Sequence, residues 1–304
     1  MDRINIGLIG CGNWGKYILR DLINLGCNVY VAERNQSNRL LAKKNGATAT
    51  FENLNVLPEN LDGYVIAVQA IHHFQVIQKI YSKNKPIFCE KPLVPNLNQI
   101  KELEKLNNLR IFTMHKWRYH PAVNKMKEII DSGVYGKVLC IDLKRKQWGN
   151  PHTDVDAVWV LMPHDLSIIL HLLNEIPQPV WASGLTSNDN WFHQLYCRLG
   201  KETPCTIEVS ECYAGNDRSI HILLEKGALL MNDSMANELI VKDTHFSSPQ
   251  PDKRVPISSE MPLLKELEAF TSYLKDGEAP FTSLSEEIKI TETIEKLKAL
   301  ATSN

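Results

Sequence analysis

The sequence has no excess of charge of either sign. Lys and Arg number 34 and Asp and Glu number 35, so the net charge is −1 over 304 residues. Binding to nucleic acid or to an anionic membrane surface draws on clustered positive charge. The balance therefore predicts no partner of either class and favours a small-molecule ligand.

The sequence also lacks paired cysteine motifs and long apolar runs. Its seven cysteines are an odd number, lie far apart and include no C-x-x-C spacing typical of a metal or redox site. No run of about 18 uncharged apolar residues occurs, and the N-terminal MDRINIGLIG has no long apolar segment like that of a secretory signal. We expect a cytoplasmic protein with no metal and no membrane segment.

Two kinds of hydrophobic pattern divide the chain. Up to about residue 118, short apolar runs alternate with amphipathic helical patterns, as in a parallel sheet with crossover helices. Beyond that point most runs alternate apolar and polar residues, as in a half-buried antiparallel sheet. The sequence predicts an α/β fold with a doubly wound domain at 1–118 and, at 119–304, an α+β domain with a large, mostly antiparallel open sheet. The Pro- and Ser-rich segment 243–262 is predicted to be a surface loop.

Three glycines lie between the first predicted strand, residues 4–10, and the first predicted helix. Gly10, Gly12 and Gly15 form the pattern G-x-G-x-x-G, with Asn13 and Trp14 inside it. In this context the first glycine permits a tight turn, the second lets the backbone approach a pyrophosphate, and the third allows close helix packing. The helix N-terminus adds N–H donors and a positive dipole end. The pattern predicts a dinucleotide site.

An acidic residue, Glu33, ends the second predicted strand. A carboxylate at this place accepts hydrogen bonds from the ribose hydroxyls and repels a 2′-phosphate, which favours NAD over NADP. The next residue, Arg34, suits a 2′-phosphate or the adenine ring instead, so NADP remains possible.

A charged pair, Glu90 and Lys91, follows the short apolar strand predicted at 86–90. The carboxyl ends of parallel strands line the ligand crevice of a doubly wound sheet, so both residues are predicted to face the cofactor. Pro92 stiffens the segment because its ring fixes φ.

The motifs GCGNWG, VAERN, AVQAIHH and CEKPL together resemble the glucose-fructose oxidoreductase / inositol dehydrogenase (Gfo/Idh/MocA) family, and the likeness runs the length of the chain. The resemblance implies an N-terminal Rossmann domain that binds NAD or NADP. It implies a C-terminal domain that serves substrate binding and homo-oligomer contacts. Val68, Gln69 and His73 are then cofactor-binding residues. Lys91 and a downstream histidine, His164, are implied to be the catalytic pair.

The chain departs from the family's pattern at two places. Val68 and Gln69 replace the usual Thr-Pro of the loop before His73, and Val160 stands where an aspartate often precedes the histidine by four residues. That aspartate orients the imidazole and stabilises its protonated form, and valine does neither. We expect a helix over 163–173 with Pro163 in its first turn. On that reading Asp165 is a helix-start residue, with contact to substrate as the alternative.

The substrate class is predicted from the residues around the second half of the chain. Arg118 and Trp148 suit sugar hydroxyls or phosphate, because forked guanidinium donors and aromatic faces bind both. RKQWGN followed by WVLMPHDLSI resembles family members that act on nucleotide-activated sugars. We expect an oxidoreductase that transfers a hydride between the nicotinamide and a secondary alcohol or ketone of a sugar or nucleotide sugar. The alternatives are a catalytically impaired sensor that binds the cofactor, and an enzyme that regenerates NAD during net elimination or hydrolysis.

Overall fold

The computed structural model describes residues 3–187, 190–243 and 251–303. The chain forms two compact units. The first comprises the chain up to Lys116 together with Met261–Ile288, and the second comprises Trp117–Glu260 and the residues from Lys289 onward. The predicted α/β class, with one parallel sheet and one larger, mostly antiparallel sheet, is confirmed.

The first unit contains a six-stranded parallel sheet in the order β3-β2-β1-β4-β5-β6. Its strands are β1 (Asn5–Ile9), β2 (Asn28–Ala32), β3 (Ala49–Phe51), β4 (Gly63–Ile66), β5 (Ile87–Glu90) and β6 (Ile111–Met114). Its helices before residue 117 are α1 (Gly15–Asn24), α2 (Gln36–Lys44), α3 (His73–Tyr81) and α4 (Leu97–Glu104). The three-residue edge strand β3 was not predicted from the sequence.

The sheet of the first unit has apolar packing on both faces, which explains its nearly continuous apolar strands. Leu8 and Phe88 pack on one side with residues of α1, whereas Ile66 and Cys89 pack on the other side with residues of α3 and α4. Successive residues of a strand point to opposite faces, and β1, β2, β4, β5 and β6 each contribute to both clusters.

A later segment of the chain completes the first unit. Helix α7 (Pro262–Tyr273) places Leu263, Leu267 and Phe270 on one face, and these side chains join the core cluster of Leu8 and Phe88. Phe270 stacks on Phe88 with ring centroids 4.9 Å apart. The first unit therefore consists of two chain segments, whereas the prediction divided the chain once, at residue 118. The reason is that α7 buries its apolar face against the first sheet. The roles predicted for the two domains remain predictions.

The second unit contains an eight-stranded sheet in the order β14-β13-β12-β11-β7-β10-β9-β8, in which only the β7–β10 pair is parallel. The strands are β7 (Val138–Trp148), β8 (Pro179–Thr186), β9 (Phe192–Leu199), β10 (Cys205–Ser210), β11 (Cys212–Leu224), β12 (Gly227–Met231), β13 (Glu238–Lys242) and β14 (Lys253–Pro256). The remaining helices are α5 (Pro121–Asp131), α6 (Ala157–Leu173) and α8 (Leu284–Thr302).

Strands β13 and β14 were not predicted. β14 lies inside the segment 243–262 that was predicted to be a loop, and it pairs antiparallel with β13 from Lys253 to Pro256. Main-chain pairing with a neighbouring strand stabilises this short polar run at the sheet edge, although its composition favours a loop. Residues 244–250 of the same prediction lie outside the described residues.

Helix α6 begins six residues earlier than predicted. Asp156 caps it, because its Oδ1 accepts a hydrogen bond from the N–H of Trp159 at 3.1 Å. Pro163 therefore lies inside the helix rather than in its first turn. The interpretation of Asp165 as a helix-start residue is wrong for the same reason. Within the described part of the chain, no helix is long and apolar enough to cross a membrane.

Candidate active site

The Gly-rich turn follows β1. Packing requires glycine at two of its three glycine positions. Gly10 has φ +90°, and a Cβ there would lie 2.7 Å from the carbonyl oxygen of Ala67. A Cβ on Gly15 would lie 2.4 Å from the carbonyl oxygen of Gly10. A side chain at either position would collide with backbone atoms, so these glycines permit the turn itself.

Gly12 has a different role, because a Cβ built there meets no heavy atom within 4 Å. The protein's own packing does not require a glycine at this position. Its bare backbone leaves open space next to the N-terminal turn of α1, and that turn carries no acidic side chain to repel a phosphate. The turn thus fits the pyrophosphate of a dinucleotide, with Asn13 and Trp14 exposed beside it.

Glu33 lies just beyond β2 and is held against the Gly-rich turn. Its Oε2 accepts a hydrogen bond from the N–H of Cys11 at 2.8 Å, and its Oε1 accepts one from the N–H of Asn35 at 2.8 Å. The side chain of Arg34 is exposed. Arg39 donates from Nη1 to the carbonyl oxygens of Glu33 and Arg34, at 2.8 and 2.7 Å. A carboxylate is therefore fixed beside the turn.

Glu90 is the last residue of β5 and connects the Gly-rich turn to the Lys91 segment. Trp14 donates from Nε1 to Glu90 Oε1, and the N–H of Lys91 donates to Oε2 at 3.0 Å. The ammonium of Lys116 lies 4.5 Å from the centroid of the Trp14 indole ring. Burial raises the pKa of Glu90, and the positive charges of Lys91 and Lys116 oppose that shift. Lys91 itself is half-buried.

His73 joins the loop after β4 to the segment after Lys91. It is 1% exposed. Its Nε2 lies 3.1 Å from the carbonyl oxygen of Val68, and its Nδ1 lies 3.0 Å from that of Pro92. Gln69 is exposed and precedes the short 3-10 helix Ala70–His72. Within the first unit the structure thus connects the residues of three sequence motifs.

Sequence analysis missed a buried acid near this group. Glu266 of α7 is 1% exposed, and its Oε2 has no hydrogen-bond partner among the described residues. Burial raises its pKa well above the usual range, the negative charge of Glu90 raises it further, and Lys116 opposes the shift. Burial of Glu266 thus favours the neutral form of its carboxyl.

His164 lies in α6 of the second unit and is buried, with 7% of its surface exposed. Val160 lies one turn earlier in the same helix and is 6% exposed. Because α6 begins at Ala157, positions 160 and 164 lie on one helix face. The valine therefore occupies the place from which an aspartate could contact the imidazole.

Asp165 is bound by Arg145 of β7. The guanidinium donates from Nε and Nη2 to the carboxylate, with Nη2 to Oδ1 at 2.7 Å, and the two side chains are 3% and 1% exposed. The guanidinium carbon also lies 4.2 Å from the centroid of the Trp117 ring. Burial raises the pKa of Asp165, and Arg145 opposes the shift. This pair connects α6 to the sheet of the second unit.

The other two predicted substrate residues of the second unit differ in exposure. Arg118 is 7% exposed in the 3-10 helix Lys116–Tyr119, whereas Trp148 is 75% exposed at the end of β7. In the described ranges, no group of three or more His, Cys, Asp or Glu side chains is placed to hold a metal ion.

Comparison with known proteins finds a family model that matches the N-terminal part of the chain. Residues 4–110 match the GFO_IDH_MocA model, which describes an oxidoreductase family with an NAD-binding Rossmann fold. Over these residues the chain is similar to the Gfo/Idh/MocA oxidoreductases. The resemblance inferred from the sequence motifs is thereby confirmed.

One sequence relative and two solved structures illustrate the similarity. Oxidoreductase P35 of Formosa agariphila is 27% identical over 199 residues, which are 58% of this chain and 62% of that protein. Matches to the first three curated relatives span only 52–62% of their lengths. A UDP-N-acetylglucosamine 3-dehydrogenase from Acidithiobacillus ferrooxidans has a TM-score of 0.84 at 18% identity, covering 100% of this chain and 99% of that one. A levoglucosan dehydrogenase in complex with NADH and levoglucosan has a TM-score of 0.87 at 16% identity, covering 99% and 98%. At these identities the two structures support the fold alone.

Proposed function

We propose that this protein is an NAD(P)-dependent oxidoreductase of the Gfo/Idh/MocA family that transfers a hydride between the nicotinamide and a secondary alcohol or ketone carbon of a sugar or nucleotide sugar. The observation that carries the proposal is the Trp14–Glu90 hydrogen bond, which joins the dinucleotide turn to the Lys91 segment. The activities of the two structural neighbours, on levoglucosan and on a UDP-sugar, agree with this substrate class.

The cofactor supplies the redox chemistry: when bound, oxidised nicotinamide accepts a hydride from the carbinol carbon, and the hydroxyl proton leaves to a base. Gly10, Gly12 and Gly15 would hold its pyrophosphate, and Glu33 its ribose. The carboxylate beside the turn favours NAD, and the exposed Arg34 leaves NADP as the alternative.

Lys91 and His164 are the proposed catalytic residues. An ammonium near the substrate oxygen stabilises developing negative charge, and an imidazole with a pKa accessible near neutrality takes or returns the hydroxyl proton. Positioned acid/base groups contribute about 10²- to 10⁴-fold. Arg118 and Trp148 are proposed substrate contacts. Contact of Asp165 with substrate stays a prediction, since Arg145 engages both carboxylate oxygens.

The first test uses the purified chain with NAD, NADP and their reduced forms. The proposal expects a change in reduced-nicotinamide absorbance with at least one sugar, polyol or nucleotide sugar in a panel. Normal cofactor binding without turnover of any substrate would contradict it. Product formation without net reduction of cofactor would identify the net elimination or hydrolysis alternative.

Val160 supports a second candidate, a cofactor-binding sensor with impaired catalysis. Val160→Asp tests it, with Val160→Asn as an uncharged control of similar size. If His164 is a weakened acid/base, Val160→Asp raises turnover by about tenfold or more, whereas Val160→Asn does not. Absence of turnover in the wild type and in Val160→Asp alike would favour the sensor.

We also propose that the chain forms a homo-oligomer through the outer face of the second sheet. Trp181 and Tyr196 lie on neighbouring strands with ring centroids 5.6 Å apart and are 41% and 43% exposed, and Leu185 is 53% exposed. Clustered exposed apolar side chains mark interaction surfaces. Sedimentation equilibrium of the wild type and of Leu185→Asp tests this: a monomeric wild type contradicts it, and weakened association of the variant supports it.

A further inference from the structure

We propose that His115 and Glu287 are positioning residues of the Lys91 segment. They form a buried hydrogen-bonded pair that fixes the backbone that leads out of Lys91 and thereby the place of its ammonium. The inference rests on the proposed role of Lys91 in hydride transfer. It concerns two residues to which the sequence analysis assigned no role.

The pair lies entirely within the first unit. His115 directly follows β6, and Glu287 lies in the first turn of α8. His115 Nε2 is 2.7 Å from Glu287 Oε2, and both side chains are 1% exposed. A polar pair excluded from water to this extent is costly unless it is well bonded, so its geometry is strongly constrained.

Glu287 bonds the polypeptide on the C-terminal side of Lys91. Its second oxygen, Oε1, accepts a hydrogen bond from the N–H of Leu93 at 3.4 Å. On the other side, Cys89 of β5 has a pKa raised by burial and by the negative charges of Glu90 and Glu287. The carboxylate therefore bonds the chain that leads out of Lys91.

Other side chains hold the remaining polar groups of the segment. His73 Nδ1 lies 3.0 and 3.1 Å from the carbonyl oxygens of Pro92 and Leu93. Trp14 holds the side chain of Glu90. Leu93 and its neighbour Val94 are both fully buried. Lys91 is thus a half-buried side chain on a backbone fixed before and after it.

Fixing this backbone matters because hydride transfer depends on the placement of the reacting groups. A displacement of about 1 Å can cost on the order of 10²-fold in rate. A bond from Glu287 to the Leu93 amide limits such displacement without any contact between Glu287 and the reacting atoms. Its loss should therefore affect turnover more than cofactor binding.

The test compares Glu287→Gln with Glu286→Gln, which makes the same chemical change one residue earlier, at a partly exposed position. We expect amide hydrogen exchange at Leu93 to accelerate about tenfold or more in Glu287→Gln only. We expect kcat to fall about 10- to 100-fold, with the Kd for NADH changed less than about threefold. In a Lys91→Met background, Glu287→Gln should cause no further loss in single-turnover rate.

Two results would overturn the proposal. One is unchanged exchange at Leu93 in a folded Glu287→Gln protein. The other is an equal loss of rate with and without Lys91, which a merely structural role would produce. If Glu287→Gln does not fold, the neutral pair His115→Gln/Glu287→Gln undergoes the same measurements with the same criteria. If the wild type turns over no substrate, the proposed function fails, while hydrogen exchange and NADH binding still decide whether the pair holds the segment.

Discussion

At the scale of single residues, two acidic side chains of the first unit contrast sharply. Glu33 accepts hydrogen bonds from two backbone N–H groups at 2.8 Å. Glu266 is buried with one oxygen unpaired among the described residues. The first arrangement suits a charged acceptor for ribose hydroxyls, and the second suits a neutral acid. Each difference leads to its own prediction.

Glu33→Gln should shift the cofactor preference from NADH toward NADPH. Hydrogen bonds to a charged acceptor are worth about 1.5–3 kcal/mol, so removing the charge should raise the Kd for NADH about tenfold or more. Binding of NADPH should strengthen, because the carboxylate no longer repels the 2′-phosphate. Fluorescence titration of both cofactors measures the ratio. Glu52→Gln, at an exposed position, is the control, and an unchanged ratio in Glu33→Gln would contradict the assignment.

Glu266→Gln should change how stability depends on pH. The pKa of Glu266 is raised in the folded state, so its contribution to stability is complete below the unfolded pKa of about 4.5. That contribution is lost as pH rises from there through the folded value. The variant has no such loss, so its stability relative to that of the wild type should increase as pH rises. Each kcal/mol of this difference corresponds to about 2–4 °C in Tm. Thermal unfolding from pH 4 to pH 9 measures it.

The control for that series is Glu268→Gln, an exposed residue of the same helix. Its Tm profile should run parallel to that of the wild type. Parallel profiles for Glu266→Gln as well would show that the buried acid is not protonated in the folded protein.

At the scale of elements, α6 is fixed by polar contacts along its length. Asp156 caps its N-terminus and receives the ammonium of Lys298 at 2.6 Å, while Asp165 bonds to Arg145 in mid-helix. Pro163 has no N–H, so it cannot donate the usual helical hydrogen bond to the carbonyl oxygen of Trp159. The placement of His164 therefore depends on these contacts.

Asp165→Asn should destabilise the fold strongly, since it leaves the buried guanidinium of Arg145 without its counter-charge. Breaking a buried pair in this way costs about 3–5 kcal/mol. The double variant Arg145→Met/Asp165→Leu should recover much of that loss. Urea denaturation measures both. Equal destabilisation by the single and double changes would show that packing, not charge, dominates at this site.

Elements with a strong local signal were predictable from the sequence, and those that depend on distant partners were not. The G-x-G-x-x-G turn and the strand before Glu90 carry their own pattern. The start of α6 was misplaced because Pro163 resembles a first-turn proline, whereas Asp156 is the cap. The pKa of Glu266 depends on its burial and on the charges of Glu90 and Lys116. No sequence pattern links positions so far apart.

At the scale of the whole molecule, the chain forms two compact units, and the first includes a segment from late in the sequence. The periodicity of Leu263, Leu267 and Phe270 predicts that α7 buries one face, but it does not predict which sheet receives that face. A domain boundary placed where the hydrophobic pattern changes therefore misses a later segment, such as α7, that packs in the first unit. The family resemblance of residues 4–110 and the sheet topologies nevertheless agree with the sequence prediction.

The central claim, hydride transfer supported by Lys91 and His164, is tested most directly by a single-turnover experiment with NAD and a sugar deuterated at the reacting carbinol carbon. We predict that the label appears in the reduced nicotinamide, and that Lys91→Met and His164→Asn slow this transfer at least about 10²-fold while still binding NAD. Unlabelled or undetectable reduced nicotinamide, from a wild type that binds NAD and the sugar, would contradict the account.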